Sequence, residues 1–185
     1  MESKIHAKWN QRYQKKGGVS KPAAILRRFA HLATPGRALD IAAGSGGNAI
    51  FLSRNGFAVD ALDISDVALA RLVRRHPQIR AACVDLTCFD IPAGHYDLIC
   101  NLRYLERRLF PYIIEALRPG GILIFETYME GKGEVIDPPT QRDYLLRPGE
   151  LLRSFFCLHV LYYEERPNRP PYKSSHTASL VARKH

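Results

Sequence analysis

The sequence predicts an α/β protein built on one doubly wound sheet of seven strands, with helices on both faces. Two observations carry this reading. Short apolar runs, of the length buried strands need, alternate with segments of helical periodicity, and the connections between them are short enough for crossover units. Sharp Gly or Pro turns fall where one element gives way to the next.

In chain order, Lys4-Ile5-His6-Ala7-Lys8-Trp9-Asn10-Gln11-Arg12-Tyr13 is a basic amphipathic helix in which Ile5, Trp9 and Tyr13 share one face, and Gly17-Gly18 breaks it. Ala38, Leu39, Ile41 and Ala42 form the near-continuous apolar run of a central strand covered on both faces. Helix 47–55 follows and Asn55-Gly56 closes it. A second strand ends at Leu62-Asp63; Ser65 caps helix 66–75, and Pro77 stops it. Strand 79–84 leads to a second acidic end at Asp85, strand 96–100 to helix 106–117, and Pro119-Gly120-Gly121 turns sharply into strand 121–127. Beyond this lies a long Gly/Pro-rich stretch, then Tyr144 to Leu152, which opens a helix with Pro148 near its first position. Strands 158–164 and 177–183 complete the seven.

The segment Leu39-Asp40-Ile41-Ala42-Ala43-Gly44-Ser45-Gly46-Gly47-Asn48 reads as a strand running into a tight turn and a helix, the arrangement of a nucleotide-cofactor site. Gly44 and Gly46 let the backbone turn and approach a ligand without a Cβ clash. Ala42 sets a methyl group near the turn and is expected at negative φ, where alanine is tolerated. Asp63 ends the next strand at about the offset at which a carboxylate grips a ribose diol, and a carboxylate suits two adjacent hydroxyls because it offers several acceptor lone pairs. A dinucleotide site is the competing reading. The turn gives Ala-x-Gly-x-x-Gly rather than a full Gly-x-Gly-x-x-Gly, and neither Asp85 nor the Pro-Gly-Gly turn is required for it.

These residues resemble the class I methyltransferases that use S-adenosylmethionine. The likeness runs from Trp9-Asn10-Gln11-Arg12-Tyr13 through the glycine turn, Asp63 and Asp85 to Leu117-Arg118-Pro119-Gly120-Gly121. Within that superfamily the chain looks most like the small bacterial enzymes related to tellurite-resistance and thiopurine methyltransferases. The resemblance implies a Rossmann-like sheet, mostly parallel with an antiparallel last strand, and S-adenosyl-L-methionine as cofactor. It implies that Gly44 and Gly46 face the methionine portion, that Asp63 binds the ribose hydroxyls, and that Asp85 accepts from the adenine amino group with Leu86 against the ring. Asn101 and Leu102 would border the transferable methyl, and Asp40, Ala42, Asn48 and Ile64 join the cofactor-binding set. Residues 1–18 would be a lid, with Tyr13 and Arg12 reaching the methionine carboxylate, a task that suits a guanidinium. Residues 19–185 would be the methyltransferase domain, with the stretches 128–144 and 166–176 walling the acceptor pocket, since loops beyond the carboxyl ends of strands are where α/β sheets bind ligands.

Transfer from a sulfonium needs position and dryness more than acid and base. Arg103, Tyr104 and His176 are the candidate catalytic residues, with Tyr128 and Tyr144 as further orienting groups and His176 as a possible proton acceptor. The acceptor is expected to be a small, soft or anionic nucleophile. Lys and Arg number 27 against 18 Asp and Glu, a net charge of +9, so an RNA or protein methyltransferase is the first alternative. A protein that binds S-adenosylmethionine without transfer is the second. The clusters Arg27-Arg28, Arg71 with Arg74-Arg75, Arg103 with Arg107-Arg108, and Arg183-Lys184-His185 are dispersed over several helices, and no RNA-binding module accompanies them.

At 185 residues and 46% hydrophobic, the chain can bury one substantial core. No run of 18 apolar residues and no signal peptide appear, so a cytoplasmic protein without membrane contact is expected. Cys83, Cys88, Cys100 and Cys157 lack CxxC spacing, which argues against a structural metal; Cys83 and Cys100 are expected in buried strands, and Cys88 in a loop near the adenine site. Oligomeric state is not legible.

Overall fold

The computed structural model describes residues 4–15, 17–131, 142–167 and 176–185. Seven strands lie in the order β3-β2-β1-β4-β5-β7-β6. They are β1 (Arg37–Ile41), β2 (Ala58–Asp63), β3 (Arg80–Cys83), β4 (Tyr96–Leu102), β5 (Leu117–Met129), β6 (His159–Pro167) and β7 (His176–Arg183). The first five are parallel, and β7 runs antiparallel to β5 and to β6. The doubly wound, mostly parallel sheet expected from the sequence is therefore present, with its antiparallel last strand inserted between β5 and β6.

Period-two alternation sorts the strand residues into two cores. Leu39 of β1, Ile99 of β4 and Leu123 of β5 stand side by side and face one layer; Ala38, Leu98 and Ile122 face the other. Helices α5 (Leu109–Ala116) and α6 (Glu150–Ser154) cover the first layer through Leu109, Ile113 and Leu151. Helices α2 (Ala24–Phe29), α3 (Gly47–Arg54) and α4 (Asp66–Arg75) cover the second through Leu26, Leu52 and Leu72. Helix α1 (Lys4–Lys15) buries none of its residues fully. It rests on the start of α4, where Asp66 accepts from Asn10 Nδ2 at 2.6 Å and Ser65 Oγ donates to Asn10 Oδ1 at 2.7 Å.

Several boundaries move for local reasons. Helix 106–117 shortens to Leu109–Ala116. Pro111 falls in its first turn, where the missing N–H lacks an intrahelical partner in any case. Pro119-Gly120-Gly121 lies inside β5, where the pairing with β4 shifts register between Tyr96 and Leu98, and Gly120 has φ +78°. Pro148 precedes α6 rather than opening it, because Gly149 in a left-handed conformation supplies the cap. Helix α2 was not signalled by the sequence reading. Cys83 is exposed, not buried: β3 is the outer strand of the sheet, and three of its four residues reach solvent. Cys100 is buried as expected, and Cys88 is exposed. Of the expected pocket walls, residues 132–141 and 168–175 lie outside the described residues. Tyr128 ends within β5, Arg166 within β6, and Tyr144 closes a short 3-10 turn. Among the described residues no helix is long and apolar enough to cross a membrane.

Candidate functional site

The carboxyl ends of β1, β2 and β4 meet at the glycine turn. For the chain to leave β1 and enter α3 here, Ala43 N–H must reach Leu62 O at 2.9 Å and Gly46 N–H must reach Ala43 O at 2.9 Å. The turn achieves this with φ +55° at Ala42, +53° at Gly44 and +82° at Gly46. Ala42 thus departs from the negative φ expected of it. A left-handed alanine costs about 1–2 kcal/mol, and glycine returns roughly 0.4–1 kcal/mol of that through its freer unfolded chain. Ala42→Gly should therefore stabilise the fold by about 0.5–1 kcal/mol, read as a higher urea midpoint at unchanged slope; a lower midpoint would refute the strain. At Gly46 a Cβ would stand 2.4 Å from Leu72 Cδ1, so close helix packing also requires glycine there.

Asp63 braces this turn. Its Oδ2 accepts from Gly44 N–H at 2.7 Å and its Oδ1 from Ser65 N–H at 2.8 Å. Burial raises its pKa, and those backbone N–H groups oppose the rise. Tyr13 covers the other side: a Cβ on Gly44 would lie 2.3 Å from the Tyr13 hydroxyl. Burial pushes the Tyr13 phenol up to about 12, with the Asp63 charge adding to the rise and the Arg12 charge opposing it. The Arg12 guanidinium itself lies 4.9 Å over the Trp9 ring.

Beneath the turn Asp40 is fully buried, accepting from Cys100 Sγ at 3.3 Å, and its Oδ2 has no partner. Loss of hydration pushes its carboxyl up to about 7, the hydrogen bond from Cys100 opposing the rise and the Asp63 charge adding to it. An unfolded aspartate titrates near 3.9. Between about pH 4 and pH 7 the folded chain holds a proton that the unfolded chain has lost, so this group makes stability fall as pH rises through that window. Asp40→Asn should remove this fall and exceed the native chain in stability above pH 7. Urea midpoints at about pH 5 and about pH 8 check it; the same pH dependence in both proteins would sink the assignment.

The remaining expected cofactor residues stand at the start of α3 and at or just after the carboxyl ends of β2, β3 and β4. Asp85 Oδ1 accepts from Thr87 N–H at 3.0 Å and Thr87 Oγ1 at 2.6 Å, which lowers its pKa. Leu86 is buried in the α5 layer, and Ile64 is half-buried with its carbonyl accepting from Cys83 Sγ. Asn48 opens α3 and accepts from Ala23 N–H at 3.0 Å, tying the chain before α2 to the turn. Asn101 is 1% exposed; its Nδ2 donates to Tyr104 O at 2.9 Å, and its buried Oδ1 is unpartnered. Leu102, next along, is buried on the α3 side.

Immediately after β4, Arg103 adopts φ +66° and is held twice by Glu126, through N–H to Glu126 O at 2.7 Å and Nη2 to Oε1 at 3.1 Å. Its guanidinium also lies 5.0 Å over the Tyr128 ring. Tyr104 is half-buried, its pKa raised by burial first and then by the charges of Glu106 and Asp85. His176 pairs with Met129 at the start of β7, one residue beyond Tyr128, and among the described residues its buried Nδ1 makes no hydrogen bond.

Glu126, missed in the sequence reading, gathers Arg103, Ser179 and Arg166 around one buried carboxylate. It is 5% exposed and accepts from Ser179 Oγ at 3.0 Å, while Arg166 Nη2 approaches its Oε2 to 3.8 Å. The signal was a lone carboxylate ending the apolar run Ile122 to Phe125 of a buried strand.

A family model described as a methyltransferase domain matches residues 11–159. Hemagglutinin 1 of Eikenella corrodens is 26% identical over 176 residues, 89% of this chain and 58% of that protein. Phosphoethanolamine N-methyltransferase 2 of Caenorhabditis elegans is 27% identical over 146 residues, 71% of this chain and 33% of that protein. The chain therefore spans less than two thirds of the length of these curated relatives. The crystal structure of TehB from Haemophilus influenzae shares the fold at a TM-score of 0.80 and 20% identity, over 96% of this chain and 67% of that one. A model match over most of the chain, on the sheet and glycine turn described above, places this protein in the methyltransferase-domain family, the S-adenosylmethionine-dependent class I methyltransferases.

Proposed function

We propose that this chain transfers a methyl group from S-adenosylmethionine to a small, soft or anionic nucleophile. The observation that carries the reading is the meeting of Tyr13, Gly44, Asp63 and Asn101 at one sheet edge, directly before Arg103 and Tyr104. The cofactor fits that edge. Asn101 Oδ1 is a buried acceptor awaiting a donor, and Gly44 leaves a backbone surface that any side chain would close. Asp63 and Asp85 would hold the ribose and adenine, and Tyr13 would cover the methionine portion. When bound, the cofactor supplies an electrophilic methyl whose carbon–sulfur bond breaks as the bond to the acceptor forms, leaving a neutral thioether.

The side chains then have to position the acceptor and exclude water. Arg103 and Arg166 both pair with Glu126 and Arg166 pairs also with Glu164, so the guanidinium groups beside β4 and β5 are held in place by carboxylates and can orient an acceptor through their remaining N–H donors. Tyr104, kept neutral by burial, supplies a hydrogen-bond donor there. The name of the nematode relative, for a small phosphorylated amine, is consistent with this acceptor class. Residues 1–18 act as the lid in this reading, with α1 closing over the glycine turn.

The test offers thiols, selenite- or tellurite-type anions, small amines and total RNA as acceptors, with methyl-labelled cofactor, at two salt concentrations. Transfer to a small molecule with little salt dependence is the expected result. Transfer confined to RNA and abolished by salt would overturn the reading in favour of a nucleic-acid methyltransferase.

A further inference from the structure

Several surface arginines are neutralised where they stand. Arg107 is clasped by Glu150, Arg108 by Asp90 and Arg118 by Asp97, and Arg103 shares Glu126 with Arg166. Helix α4 carries three arginines outside these pairs. Arg71, Arg74 and Arg75 stand at i, i+3 and i+4, a spacing that brings side chains onto one face. Together with His76 they line a cavity of about 140 Å³ that also takes in Tyr13 and the Gly17-Gly18 break. Among the described residues no Asp or Glu lines this cavity, and Arg74 and Arg75 form no ion pair.

The cavity adjoins the cofactor edge through Tyr13 and Ser45, whereas Gly44, Asp63, Asp85 and Asn101 do not line it. The carboxyl end of a helix carries about half a negative charge, which would by itself repel an anion; three guanidinium groups outweigh it. Arginine forks match the oxygens of a phosphate group two at a time, and a Gly-Gly segment offers backbone N–H groups without side-chain obstruction. One strut already crosses the cavity wall: Arg71 Nη1 donates to Tyr13 O at 2.5 Å, fixing the end of α1 to α4.

We propose that this cavity binds the phosphate group of a small ligand, at a site beside the cofactor cleft, and that its occupant fastens α1 over the glycine turn. Arg74 and Arg75 supply the charge, and Arg71 passes the constraint to Tyr13, whose ring stands against Gly44.

The experiment uses the full chain with inorganic phosphate and pyrophosphate as probes, by calorimetry at physiological ionic strength with chloride as control. Saturable binding of pyrophosphate is expected, weakened at least tenfold in Arg74→Ala/Arg75→Ala. Amide exchange across residues 4–15 should slow on saturation in the native chain and not in the variant. Both readouts are independent of methyl transfer, so loss of one reading leaves the other testable. Absence of saturable binding, an affinity untouched by the double variant, or binding that leaves exchange in α1 unchanged would each overturn the proposal. So would retention of single-stranded RNA through Arg74 and Arg75 by a chain that ignores both phosphate probes. Single Arg74→Gln and Arg75→Gln variants keep the test open should the double variant unfold.

Discussion

Asp63→Ala should weaken S-adenosylmethionine binding by about 2–4 kcal/mol, a loss of roughly 30-fold to 1000-fold in affinity. A carboxylate that accepts from a ribose diol makes charge-assisted bonds, each about 1.5–3 kcal/mol. The same carboxylate holds Gly44 N–H and Ser65 N–H, and Asp63 is only 6% exposed. Its removal therefore orphans two backbone donors, at about 1–3 kcal/mol for each that water cannot reach. The variant should lose stability as well as affinity. Asp63→Asn separates the two effects incompletely, because one carboxylate oxygen becomes an NH2 group facing a backbone N–H. The decisive pair of measurements is calorimetric affinity and urea stability on the same preparation. Reduced stability with unchanged affinity would restrict Asp63 to bracing the turn.

The sequence marked Asp63 as a diol-binding candidate because it ends an apolar strand at about the offset from a glycine turn at which a carboxylate grips a ribose. That it also braces the turn depends on the left-handed backbone from Ala42 to Gly46, which a residue list does not specify. Ala42 itself was misjudged for that reason: alanine usually signals ordinary φ, and here the hydrogen bond from Ala43 N–H to Leu62 O dictates otherwise. The strands were legible because burial on both faces forces apolar runs. Helix α2 was not, since at six residues it is too short for its periodicity to register. Glu126 and Ser179 lie 53 residues apart and meet only because β7 inserts antiparallel beside β5, a pairing no local pattern encodes. His176 was ranked by its chemistry alone; the same strand pairing sets it opposite Met129, one residue beyond the Tyr128 ring that Arg103 covers.

The largest change in stability should come from Phe125→Ala, at about 3–5 kcal/mol. Phe125 is 1% exposed and meets Phe110 edge-on at 5.8 Å and Phe155 at 5.7 Å, while Phe110 and Phe155 stand 5.1 Å apart. The three rings join β5 to α5 and to the turn after α6, so truncation removes buried area and two ring contacts, worth about 0.5–1.5 kcal/mol each beyond burial. A chain of this size loses roughly 2–4 °C of melting temperature per kcal/mol, so the midpoint should drop by about 6–20 °C. Against a total stability of roughly 5–15 kcal/mol, part of the population would unfold under assay conditions. Phe125→Leu keeps most of the volume and should cost less than half as much. The effect should reach the site as well, because Phe125 stands beside Asn101 in the sheet and precedes Glu126. In the fraction that stays folded, a looser β5 would free the Glu126 clasp on Arg103, raising the KM for the acceptor more than it changes cofactor affinity. A loss below about 1.5 kcal/mol in F125A would mean that the three rings do not pack as a unit; equal changes in acceptor KM and cofactor affinity would detach Glu126 from the acceptor side.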